Sequence, residues 1–269
     1  MTKRTRRPTP ARIIGDEHAF IARVFCLAIP LELGLSNNQQ LNRHPDCLYV
    51  MRVYWRLSFL VQRVESINVA LKMLRLRNLP ISFLDFPLSR YEWLTVATDT
   101  FLMRFVSVFD CCLLLTDEVF ECGLDPRACT LEALRKKAVP ANVVQALESV
   151  FDTSTQLRNE RNWRFHRGEE RAFTNHDHAF RAISAMEAWG HSWKILDAKR
   201  SRETDLVSWF STALAKLTRE CNKEALKIPP ALAALYETLT PEFESRFASK
   251  VKARKTSLPW YQPHLQLKR

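Results

Sequence analysis

The segment from Gln156 to Gly168 gathers four arginines (Arg158, Arg161, Arg164 and Arg167), two asparagines and one histidine into thirteen residues. On a helix, residues four apart share a face, so Arg158, Asn162 and His166 form one polar stripe with Arg161 on its flank. An imidazole beside fixed guanidinium groups suits phosphodiester cleavage. Histidine moves a proton near neutral pH, and arginine holds a phosphate as charge builds on it in the transition state. RNA supplies its own nucleophile, the 2′-hydroxyl, so this chemistry calls for neither a metal nor a cofactor. The competing reading is a solvated helix face on which Arg158, Arg161 and Arg164 pair with Glu148, Glu160, Glu169 or Glu170.

An arginine followed by a polar residue, with a histidine after a gap of four to six, on a helix of an all-α bundle, resembles the motif of the HEPN-domain proteins. Arg161, Asn162 and His166 match it with a gap of four. The resemblance covers this motif and a helical core of about residues 45–225. It implies a metal-independent endoribonuclease in which Arg161 and His166 are catalytic and Asn162 supports them; beside the motif, Arg158, Arg164 and Arg167 are read from their charge and position as substrate-binding cations. It further implies RNA as substrate, a homodimer with a composite active site, and a setting among toxins or defence effectors, with an antitoxin or regulatory protein as possible partner. A non-catalytic helical interaction or nucleic-acid-binding protein is the alternative.

Positioning such a motif requires long helices, and the chain reads as all-α. It has 46% hydrophobic residues but only 5 glycines in 269, and its apolar runs lack hairpin signals. A first helix is expected over Asp16 to Leu35, bent at Pro30, with Ser36-Asn37-Asn38 as a loop. A long amphipathic helix follows from Asp46 to about Leu76, then a connector over 77–88. Ser89-Arg90-Tyr91-Glu92 has the form of a capping box. It opens a helix whose Leu94, Thr98, Phe101, Phe105, Val108, Cys112, Leu115 and Val119 step by three and four. That seam is either a bundle spine or a dimer surface. Thr130 caps a short helix at 131–137, and Pro140 starts the motif helix, expected to reach about Arg171. Further helices are expected over 177–197, 203–226, 231–238 and 241–250, with Pro229-Pro230 as a break.

Charge bears on partners. Of the net +11, residues 1–13 contribute five cations and 249–269 six, without any acid in either, so the body is near neutral. These basic tails, the first expected to be disordered, attract polyanions by charge alone or serve solubility; one all-α domain is expected over 14–248. Seven cysteines without a C-x-x-C pattern read as reduced core residues, fitting a cytoplasmic setting. Arg104, Asp110, Asp117 and Glu118 interrupt the strongest apolar run and argue against a membrane span. His176-Asp177-His178 with His191 is a weaker metal candidate, and Trp189, Trp193 and Trp209 are either core or base-stacking residues. Asp99 and Asp110 precede the motif helix as acids that could orient an arginine.

Overall fold

The computed structural model describes residues 14–34, 41–76, 79–84, 86–191, 195–197, 202–204, 206–253, 258 and 261. The expectations for residues 1–13, for Ser36-Asn37-Asn38 and for Trp193 lie outside them. The fold is all-α. Its helices are α1 (Ala19–Gly34), α2 (Pro45–Leu74), α3 (Arg90–Phe120), α4 (Leu131–Lys136), α5 (Ala141–Arg167), α6 (Asp177–Ala188), α7 (Leu206–Ala225) and α8 (Ile228–Lys252). A short antiparallel pair, β1 (Ile195–Asp197) with β2 (Arg202–Thr204), joins α6 to α7 in register Ile195↔Thr204.

The spine is α3, which packs against α2, α5, α6, α7 and α8. Its start follows from local chemistry: the Ser89 hydroxyl accepts from the Glu92 backbone N–H, while the Glu92 carboxylate accepts from the Ser89 N–H at 2.7 Å. Every member of the expected seam, Leu94 through Val119, is buried. Each such leucine or phenylalanine contributes about 1.5–3 kcal/mol by leaving water. The seam is therefore an internal spine within the chain, and α2 and α5 lie on its two flanks.

Several boundaries differ from the sequence expectation for backbone reasons, among them α7, which begins at Leu206 instead of 203 because Arg202–Thr204 pair as β2. The motif helix stops at Arg167 because Gly168 turns into the left-handed region at φ 67°, its N–H bonding to the Trp163 carbonyl. Helix α6 ends at Ala188 instead of 197, where Gly190 at φ 84° reverses the chain toward β1. Helix α1 begins at Ala19, one residue after His18, whose Nδ1 accepts from the Phe20 N–H. The two short helices expected after Pro229-Pro230 are one helix. Those prolines occupy its first turn, where no N–H is needed, and Pro241 sits inside it. A mid-helix proline costs about 3 kcal/mol. Burial of Leu232, Leu235, Tyr236, Leu239, Phe243 and Phe247 along α8 offsets that loss.

Helix α8 also carries the first of the C-terminal basic residues: Lys250 Nζ pairs with Glu121 at 2.9 Å. No helix among the described residues is long and apolar enough to cross a membrane. Cys47, Cys112, Cys129 and Cys221 are buried and Cys111 and Cys122 half-buried, but Cys26 is exposed. Burial pushes the Cys129 and Cys221 thiols up to about 12, which keeps them protonated at neutral pH.

Candidate functional site

Helix α5 changes character along its length. Val143, Leu147, Val150, Ser154 and Leu157 form its buried face. Continuing that three-and-four spacing leads to Arg161 and Arg164, so guanidinium groups take over the core-facing side for the last two turns. Such groups need acceptors or a ligand, since a desolvated N–H without a partner is costly.

The cations of this segment have different fates. Arg164 is buried, with a side chain 4% exposed. Its Nε donates to Asp99 Oδ1 at 2.9 Å, and its Nη2 reaches the same oxygen and Glu170 at 3.3 Å. Arg164 thus ties the end of α5 to α3 and to the loop behind it. Arg158 lies against the rings of Phe109 and Phe151, at 5.4 and 5.2 Å, with Asp110 3.9 Å from Nη2. Its Nε and Nη2 are enclosed without a hydrogen-bond partner. Burial, with neighbouring Arg161 adding to it, holds the Arg158 guanidinium below its ordinary pKa despite Asp110. Arg161 is half-buried, and its Nε is likewise enclosed without a partner. Asn162 is half-buried, whereas His166 and Arg167 are exposed on the final turn beside Trp163 and Phe165, themselves 51% and 50% exposed.

The solvated-face reading therefore accounts for part of the segment. Glu170 does pair with Arg164, but Glu160 pairs with Arg171 at 3.3 Å and Glu148 pairs with Arg135. Arg164 is a buried structural cation joined to two carboxylates, a different situation from the open substrate-binding cation expected for it. Asn162 and His166 share a face, but Arg161 is not brought to that face. At 3.6 residues per turn, a five-residue step rotates a side chain by about 140°. Arg161 accordingly turns toward the core while His166 stands in solvent.

Asp99 and Asp110 are the acids that engage the segment, one holding Arg164 and the other approaching Arg158. Their spacing of eleven residues, three helical turns, puts both on one edge of α3. Beside the segment, a cavity of about 240 Å³ reaches from Thr98 on α3 to Glu220 and Glu224 on α7, and its lining on α5 stops at Glu160.

The weaker candidates have structural roles. Asp177 Oδ2 accepts from the Tyr91 hydroxyl at 3.1 Å and its Oδ1 from the Phe173 N–H at 2.7 Å, which closes the loop before α6. The His176 ring lies 5.9 Å from Trp209, itself packed edge-on to Phe180. Trp189 is 74% exposed. Among the described residues, no group of three or more His, Cys, Asp or Glu side chains could hold a metal ion.

Compared with protein-family models, with curated proteins and with solved structures, the chain matches none.

Proposed function

We propose that the protein is a metal-independent endoribonuclease of the HEPN type that works as a homodimer. One observation carries the reading. On the last turns of α5 Arg164 is committed to carboxylates, while among the described residues Arg161 Nε is enclosed without a partner and the His166 imidazole is exposed. A helix end that locks its own geometry with one arginine and leaves another cation and a titratable base uncommitted is equipped to meet a phosphodiester.

In the proposed reaction, His166 accepts the proton of the RNA 2′-hydroxyl. The oxygen then attacks the adjacent phosphorus, breaking the P–O5′ bond and forming a 2′,3′-cyclic phosphate, and the departing 5′-oxygen takes a proton from water. Arg161 neutralises charge on the non-bridging oxygens, and Asn162, one turn before His166, orients the imidazole. The rotation between Arg161 and His166 on one α5 favours a composite site, in which His166 of one copy meets Arg161 of the other. A role as a toxin or defence effector restrained by an antitoxin or regulatory protein is consistent with this activity.

The test is cleavage of single-stranded RNA in excess EDTA. Wild type should cut, and Arg161→Ala and His166→Ala should each slow cutting by at least about 100-fold without a change in melting temperature. Undiminished cutting by both variants would remove the assigned roles. A second, non-catalytic reading as an RNA-binding helical protein is favoured by the open position of His166 in the single chain. It predicts RNA binding with no cleavage by wild type.

A further inference from the structure

Helices α2 and α5 flank the α3 spine, and arginines from both lean toward it. From α2, Arg52 and Arg56 approach Glu118 at 2.8 and 3.6 Å, and Arg63 lies within hydrogen-bonding reach of the Cys111 thiol. From α5, Arg158 comes to Asp110, the residue beside Cys111. Arg63 and Arg158 thus converge on adjacent residues of α3 from opposite sides. Both retain enclosed donors without hydrogen-bond partners: Nε of Arg63, and Nε and Nη2 of Arg158. Four arginines here face two carboxylates, so the face carries excess positive charge on the folded body, separate from the basic ends of the chain.

The turns of α2 leading to Arg63 expose two large aromatic rings, Trp55 at 40% and Phe59 at 52%. They stand four residues apart, about 6 Å along the helix axis, which is wider than the roughly 3.4 Å step of stacked bases in a duplex strand. Each ring therefore has room for its own base from an unstacked strand.

We propose that this α2–α3–α5 face binds single-stranded RNA, with Trp55 and Phe59 stacking on bases and Arg63 and Arg158 holding phosphates on either side of Asp110. This rests on RNA being the ligand of the proposed function and gives the strand its approach to His166, which lies about 12 Å further along α5 from Arg158. Flat rings next to recessed guanidinium donors match the alternation of base and phosphate along a single strand. An acidic protein helix offers carboxylates but no flat faces for the rings. A second copy of the chain would set the same excess of arginines against itself. Asp110, 57% exposed at its side chain, is the exposed carboxylate of this face and opposes the strand, whereas Glu118 is held by Arg52 and Arg56.

The test is fluorescence anisotropy of a labelled twelve-nucleotide 2′-O-methyl oligo(U), which lacks the attacking hydroxyl and is not cut, titrated with the full chain at several salt concentrations. Trp55→Ala/Phe59→Ala changes only surface rings and should weaken binding at least about tenfold. Arg63→Gln/Arg158→Gln should weaken it similarly and lower the salt slope by about 1.4, as for two lost phosphate contacts on a single strand. Asp110→Asn should tighten binding severalfold, a gain that a misfolded variant would not give. Unchanged affinity in the ring variant and in Asp110→Asn would overturn the proposal, as would oligo(glutamate) binding with the same mutational pattern while oligo(U) does not bind. If the ring variant binds normally and also cuts single-stranded RNA normally, this face fails and the nuclease reading stands. If wild type binds through this face but never cuts, the face stands and the nuclease reading fails.

Discussion

Arg90 and Arg158 both lie against pairs of aromatic rings, yet one is closed and the other open. The Arg90 guanidinium sits 4.4 Å from Phe83 and 5.3 Å from Phe210, and its Nε and Nη2 donate to the two Glu187 oxygens at 2.8 and 2.9 Å. Nη2 also reaches the Ile81 carbonyl, and the side chain is 2% exposed. Arg158 has comparable rings, but Asp110 stands 3.9 Å away and, among the described residues, two of its nitrogens lack acceptors. The rings alone thus do not separate an arginine that staples the fold from one that awaits a ligand; the completeness of its acceptors does. Arg90 staples α3 to α6 and to the preceding connector. Among the described residues, Nε and Nη2 of Arg158 and Nε of Arg161 have no acceptor.

Breaking the closed member should have the largest effect. Arg90→Ala strands Glu187 next to an apolar site and should cost about 3–5 kcal/mol, measured by urea unfolding; a loss below 1 kcal/mol would erase the distinction from Arg158. Asp16 extends the comparison to an acid. Burial raises its pKa from 3.8 to about 6, against the lowering effects of the Tyr236 hydroxyl, which donates to Oδ2 at 3.0 Å, and of His18; Glu65 raises it slightly further. Because the folded state holds this proton more tightly than the unfolded chain, the group's stabilisation is complete below pH 3.8 and lost as pH rises through about 6. Asp16→Asn should therefore gain stability relative to wild type between pH 4 and 7, on the order of 2 kcal/mol, and a pH-independent difference would contradict the assignment. Ser89→Ala removes the cap that begins Arg90's helix and should cost about 1 kcal/mol, again by urea unfolding. The smallest effect belongs to the open member. Arg158→Met keeps contact with Phe109 and Phe151 while removing donors that have no acceptors, so its stability should stay within about 1 kcal/mol of wild type. A large loss there would make Arg158 a second staple.

Much of the scaffold was legible in the residues because its signals are local. The capping box at Ser89 and Glu92, the three-and-four seam of α3 and the Thr130 cap each depend on neighbours within a turn or two. Where tertiary packing or a single backbone dihedral decided, the sequence pattern misled. Pro241 stays helical because α8 is buried along its length, and Gly168 and Gly190 end their helices at positive φ where the apolar spacing alone continued. The motif segment was legible as an unusual run of cations, but not in its division of labour. Asp99 was readable as an acid able to orient an arginine, but that it meets Arg164, across 65 residues of chain, in a buried pair could not be read from spacing. The missed partner of Arg158 on the other side of the spine, Arg63, sits on an ordinary-looking amphipathic helix and emerges only when both are seen to converge on Asp110 and Cys111.

The proposed site joins His166 of one copy with Arg161 of another, and the most direct measurement of it is RNA cleavage in EDTA by an equimolar mixture of Arg161→Ala and His166→Ala proteins. Each variant alone should be inert. In the mixture, half the dimers pair unlike copies and each of these rebuilds one of its two sites, so about a quarter of wild-type activity should return. A mixture as inactive as its components, from a wild type that cuts, would contradict the shared site.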